Sequence, residues 1–127
     1  MIKLSFCLTR LDSLTRDEFH DYWYNKHAPL VKSVSKDLNI IRYEQLHCQS
    51  FDFLNDSRIA RVPNDNLPND YDGIAELYWE SWEVLKNLSN NEKSRKASKL
   101  LLDDEAKFIK FKKSPLVFSE IKEIINK

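Results

Sequence analysis

An α+β fold with the element order β-α-β-β-α-β is the architecture that this 127-residue sequence predicts. Three observations carry it. Residues 2–9 alternate strictly between apolar and polar side chains, the period of a half-buried strand. Thr15 followed by Glu18 has the spacing of a capping box and stands ahead of a stripe with helical period. Two more alternating runs, 40–48 and 71–81, follow one another in the middle of the chain, and a second helical region separates them from a last strand-like run.

The first strand turns Ile2, Leu4, Phe6 and Leu8 to one side and Lys3, Ser5, Cys7 and Thr9 to the other. Residues 10–14 make a turn, and the helix begins at Thr15. At about 100° per residue, one arc of that helix collects Phe19, Trp23, Leu30, Val31 and Val34, the stripe expected to face a core. Pro29 removes one helical hydrogen bond, so a kink is expected close to His27. Residues 36–39 end the helix.

In the second strand, 40–48, Ile41, Tyr43, Gln45 and His47 share a face opposite Ile40, Arg42, Glu44 and Leu46. Residues 50–70 are rich in Asn, Asp and Pro and read as a long loop, a lid or an arm to a partner. In the third strand, 71–81, Ala75, Leu77 and Trp79 share one face, and Ile74, Glu76, Tyr78 and Glu80 the other. Ser81 can cap a helix from 82 to about 88, and a further helical run covers roughly 91–99. Residues 103–111 read as a final turn or short helix, with Asp103, Asp104 and Glu105 suited to a helix N-terminus. Pro115 opens the last strand, 116–124.

This order is the split β-α-β, ferredoxin-like pattern: a four-stranded antiparallel sheet with helices on one face, in a single domain spanning 1–127. The uncovered face then mixes polar and apolar side chains. A second copy packed sheet against sheet is its simplest cover, so a homodimer is expected.

Composition excludes several functions. Lys+Arg and Asp+Glu number 20 each, which gives no basic surface for nucleic acid and no polybasic membrane anchor. Gly73 is the only glycine, so no glycine-rich phosphate loop can form. No apolar run is long enough to span a membrane, and none has the form of a secretory signal. Two cysteines, Cys7 and Cys48, are expected as free thiols in a reducing cytoplasm.

The chemistry that remains is acid–base. His27 projects from the middle of the apolar arc, where it needs a partner or a ligand, and its ordinary pKa near 6.5 lets it give and take protons around neutrality. A core histidine bonded to a carbonyl is the plain alternative. His20 lies on the same arc two turns away, roughly 10 Å, too far to share a metal ion, and no metal site is expected. Tyr24, Tyr43 and Tyr78 could donate to a developing enolate, while Asp72 and Glu76 could orient the imidazole or act as a base. The candidate catalytic set is therefore His27, Tyr43, Tyr78, Asp72 and Glu76. Phe19, Trp23, Tyr24, His47 and Trp79 are candidates to bind a flat small-molecule substrate.

The run FHDYWYNKHAPL at 19–30 resembles the helix motif of the EthD family. YEQLH at 43–47 and YDGIAELYW at 71–79 are similar to its second and third strands, and DDEAKF before the last strand also fits. The resemblance implies a dimeric α+β barrel and a small-molecule role without metal or organic cofactor. Relatives include polyketide cyclases, dehydratases and decarboxylases, and proteins linked to ether degradation. The family's helix histidine corresponds to His27, and its strand aspartate and glycine to Asp72 and Gly73. The loop at 50–70 has no counterpart. A lyase or cyclase using His27 on a carbonyl-bearing substrate is the leading expectation. A non-catalytic binding protein of the same fold is the alternative, with haem binding or degradation a third reading.

Overall fold

The computed structural model describes residues 1–50, 55–61 and 70–127. Four strands, β1 (Ile2–Leu8), β2 (Arg42–His47), β3 (Gly73–Trp79) and β4 (Leu116–Glu120), form one antiparallel sheet in the order β2-β3-β1-β4. Helices α1 (Arg16–Tyr22), α2 (Ala28–Val34), α4 (Trp82–Asn87) and α5 (Glu92–Glu105) fill the two crossover regions, as the split pattern predicts. A short helix, α3 (Asn55–Ile59), interrupts the predicted loop, and Arg58 pairs with Asp70 at 2.8 Å. The remainder of that loop, 51–54 and 62–69, lies outside the described residues.

Register divides the sheet into two faces. Phe6 stands opposite Ala75, Leu8 opposite Gly73, Leu4 opposite Leu77, and Leu77 in turn opposite Tyr43. These side chains share the face under the helices. Lys3, Glu76, Tyr78, Arg42 and Glu44 share the other.

The core lies between the sheet and the helices. Phe19 and Phe108 are fully buried and pack with Leu8, Trp23, Ala75 and Ile109. A second cluster joins Val31, Val34 and Leu38 to Ala97 and Leu101 of α5. At Gly73 the backbone lies close against the core: a Cβ at that position would collide with the ring of Trp23.

The capping box forms as read. Thr15 Oγ1 accepts from the N–H of Glu18 at 3.1 Å, and Glu18 Oε1 accepts from the N–H of Thr15 at 2.9 Å. The expected kink takes another form. Residues Trp23–His27 make a π turn, closed by the Ala28 N–H donating to the Trp23 carbonyl. Pro29 then falls in the first turn of α2, directly after the π turn.

Several boundaries differ from the sequence reading. The runs at 91–99 and 103–111 are not two elements, because α5 continues unbroken to Glu105. Ser94, Ala97, Leu101 and Asp104 form its buried stripe, so Asp103, Asp104 and Glu105 end a helix rather than start one. The last strand stops at Glu120, not 124, because Glu120 already pairs with Ile2, where β1 begins. The second and third strands are shorter than read, Arg42–His47 and Gly73–Trp79.

Candidate active site

Between the sheet and the helices lies a cavity of about 390 Å³. Its wall is aliphatic and aromatic, drawn from Leu4, Phe6, Trp23, Val31, Leu77 and Trp79 among others. Among the described residues, three titratable side chains reach it: His27 from the π turn, Tyr43 from β2 and Glu105 from the end of α5.

His27 is 5 % exposed and lies beside the ring of Phe108. Its Nδ1 is 2.7 Å from Asp104 Oδ2. A carboxylate only accepts, so Nδ1 carries the proton and Nε2 is left as the free lone pair. Nε2 has no partner among the described residues, where no buried side-chain nitrogen or oxygen is orphaned, so it opens to the cavity. Burial pushes the imidazole pKa below its ordinary value, and Asp104 offsets only part of that. At neutral pH the ring is a neutral base with a fixed tautomer.

Asp104 is held from two sides. The Tyr22 hydroxyl donates to its Oδ1 at 2.6 Å, while His27 takes Oδ2. Burial alone would raise the carboxyl, but these hydrogen bonds hold its pKa below the usual range. Burial and the neighbouring Asp104 push the Tyr22 hydroxyl up to about 12.

Tyr43 is tied down along its own strand. Gln45 Nε2 donates to the Tyr43 hydroxyl at 2.8 Å and to the Trp23 carbonyl at 2.9 Å, and Gln45 Oε1 lies 2.8 Å from His47 Nε2. Because the Tyr43 oxygen already accepts, its own proton is the one available to a ligand. Burial raises its pKa to about 12, which keeps it a donor throughout the neutral range.

The other sequence candidates lie elsewhere. Tyr78 and Glu76 are on the opposite face of the sheet, where Tyr78 shares its hydroxyl proton between Glu44 (2.9 Å) and Glu76 (3.1 Å), and Lys3 pairs with Glu76 at 2.8 Å. Neither can reach His27 through the sheet. Asp72 does not orient His27 either. Its buried carboxylate accepts from the Arg10 N–H and guanidinium at 2.8 Å each and from Arg16 at 3.1 Å. Its carbonyl oxygen lies 2.7 Å from His20 Nε2.

Among the candidate binding residues, Trp23 and Trp79 line the cavity, and the Trp79 indole is fixed by the Leu38 carbonyl at 2.7 Å. Phe19 sits behind the wall in the core. His47 stacks on Trp23 with ring centroids 4.8 Å apart and lies tilted beside His20 at 4.6 Å, outside the cavity lining. Tyr24 is 64 % exposed and faces away.

Asp104, Glu105 and Tyr22 were missed as site residues. A usable signal was present: the spacing Ala97, Leu101, Asp104 extends the buried stripe of α5 onto a carboxylate, which then needs a partner. Among the described residues no cluster of three or more His, Cys, Asp or Glu is placed to hold a metal ion, and no helix is long and apolar enough to cross a membrane.

The EthD domain model matches residues 11–112 of the chain. Among curated protein sequences none matches. Several solved structures share the fold at low identity. An EthD family protein from Bacillus halodurans aligns over 96 % of this chain and 99 % of its own at 18 % identity and TM-score 0.59. HapK from Hahella chejuensis aligns over 100 % and 98 % at 7 % identity and TM-score 0.58. SnoaB from Streptomyces nogalater, a cofactor-independent oxygenase, aligns over 99 % and 97 % at 10 % identity and TM-score 0.54.

Proposed function

The chain belongs to the EthD family, and from that premise we propose that it is a small-molecule enzyme in which neutral His27 takes a proton from carbon next to a carbonyl group. The observation that carries this reading is the His27–Asp104 pair set into an apolar wall, with Nε2 turned to the cavity. The lone pair on Nε2 takes the C–H proton, and the electrons of that bond move onto the carbonyl oxygen as an enolate. Tyr43 donates to the enolate oxygen, and Asp104 stabilises the imidazolium. The proton then returns to a leaving hydroxyl, which departs as water, to another carbon, or, where the enolate carbon bonds to a second carbonyl carbon of the same molecule, to the alkoxide that this leaves. Dehydration, cyclisation and isomerisation of a polyketide-like or aromatic carbonyl compound all follow from this one step, with no organic cofactor in the sequence of events. The name of SnoaB supports a small-molecule reading of the fold without specifying the reaction here. Action as a homodimer in the cytoplasm belongs to the same proposal.

Deuterium incorporation next to the carbonyl of 2-tetralone, followed by NMR in D₂O, tests it. The protein is expected to accelerate exchange, and His27→Asn to lose about 10²-fold or more of that acceleration. Equal exchange in a folded His27→Asn protein would leave a sheltering, non-catalytic role for the cavity.

A further inference from the structure

We propose that Glu105 is a second acid–base group of this cavity and makes it selective for uncharged carbonyl compounds over carboxylates; the inference rests on the cavity being the small-molecule site. The placement follows from α5. Asp104 and Glu105 are consecutive, so their side chains leave the helix about 100° apart. One turns to His27 and Tyr22, and the other lines the cavity.

The Glu105 side chain makes no hydrogen bond or ion pair among the described residues, in contrast to that of Asp104 beside it. Its half-buried carboxyl instead meets the apolar wall. The titratable or charged groups around it are Asp104 on its own helix, Tyr43 across the cavity on β2 and His27 on the π turn, and no lysine or arginine lines the cavity among the described residues. An unpaired carboxylate in such surroundings is resisted. Burial first, and then the charge on Asp104, raise its pKa to about 7.

Two consequences bear on the ligand. Below neutrality Glu105 presents an O–H, as Tyr43 does, so the polar part of the cavity offers two donors that suit a carbonyl oxygen. A ligand carboxylate would bring a negative charge towards Asp104, and towards Glu105 once that group ionises, with no cation on the wall to receive it. Because Glu105 ionises close to neutrality, it can also give a proton to a developing alkoxide or take one from an enol.

Two probes with the same ring system separate these properties: 2-acetylnaphthalene, a neutral ketone, and 2-naphthoate, an anion, each measured by equilibrium dialysis at pH 6 and pH 8. The ketone is expected to bind at least about tenfold more tightly than naphthoate, and several-fold more tightly at pH 6 than at pH 8. In Glu105→Gln, which keeps a neutral donor, ketone binding should lose its pH dependence and the penalty on naphthoate at pH 8 should shrink. Equal affinities for the two probes, or a Glu105→Gln protein with the wild-type pattern, would overturn the proposal. Failure of both probes to bind would remove the cavity as a carbonyl site and the proposal with it.

His27→Asn distinguishes this inference from the proton-transfer reading. It should keep the ketone-over-naphthoate pattern whatever it does to deuterium exchange. Should Glu105→Gln fail to fold, a ¹³C NMR titration of glutamate carboxyls in the intact protein still decides. A resonance titrating near 7 supports the proposal, and ordinary carboxyl values throughout overturn it.

Discussion

His27 Nδ1 and Asp104 Oδ2 meet at 2.7 Å across 77 residues of sequence, and Tyr22 closes the other side of the same carboxylate at 2.6 Å. Asparagine at 104 can accept from only one of these two donors. Asp104→Asn is expected to lower stability by about 1.5–3 kcal/mol, the range for a hydrogen bond to a charged group. It should also lower the pKa of His27 further, since Asp104 is what opposes the effect of burial. Urea unfolding and an NMR titration of the histidine ring check the two effects, and an unchanged or raised His27 pKa would contradict this account.

Gly73 carries a packing prediction. Its missing Cβ is space that the Trp23 ring uses, and Trp23 is also a wall of the cavity. Gly73→Ala should cost about 1–3 kcal/mol through overpacking, read as a lower urea midpoint with a changed tryptophan emission spectrum.

Asp72 makes the protein sensitive to acid. Burial would raise its pKa, but hydrogen bonds from the Arg10 N–H and from the Arg16 and Arg10 guanidinium groups lower it overall. A folded pKa below the unfolded value of about 3.9 means that the stabilisation is fully present above about pH 4 and is lost as pH falls through the folded pKa. Asp72→Asn should therefore be less stable than the native protein by a constant margin between pH 5 and 7, and the margin should narrow at pH 3. A margin that does not change with pH would show that the ion cluster is not its source.

The sheet face opposite the helices holds Lys3, Glu76, Tyr78, Arg42 and Glu44 together with the exposed Leu46 and Val117. A second copy across this face should appear in sedimentation equilibrium at micromolar concentration as twice the 15.1 kDa chain mass. Val117→Lys should shift the protein towards monomer if this is the contact. A folded native protein that sediments as a monomer would refute the pairing.

Much of the fold was legible because strand alternation and a capped apolar stripe are local signals. The site was legible only in part, for two physical reasons. Alternation tells which residues of one strand share a face, but the register between strands decides which faces coincide. Tyr43 stands opposite Leu77, so Tyr43 and Tyr78 are on opposite sides of the sheet, although each looked equally able to reach His27. Carboxylates, in turn, are ordinarily favoured at a helix N-terminus, and Asp103 to Glu105 were read that way. They sit instead at the C-terminal end of α5, and for Asp104 the reason is a pair of donors supplied by distant residues, Tyr22 and His27.

The π turn changes how this chain should be compared with its relatives. Such a turn holds one residue more than the α turn it replaces. Tyr24, Asn25 and Lys26, the residues inside it, are all exposed, while Trp23 and His27 at its ends are buried. A relative with a plain α turn here would place its histidine three residues after the tryptophan rather than four, and still present it to the same cavity. Counted position by position without a gap, the two histidines would be scored as a mismatch although they are equivalent in space.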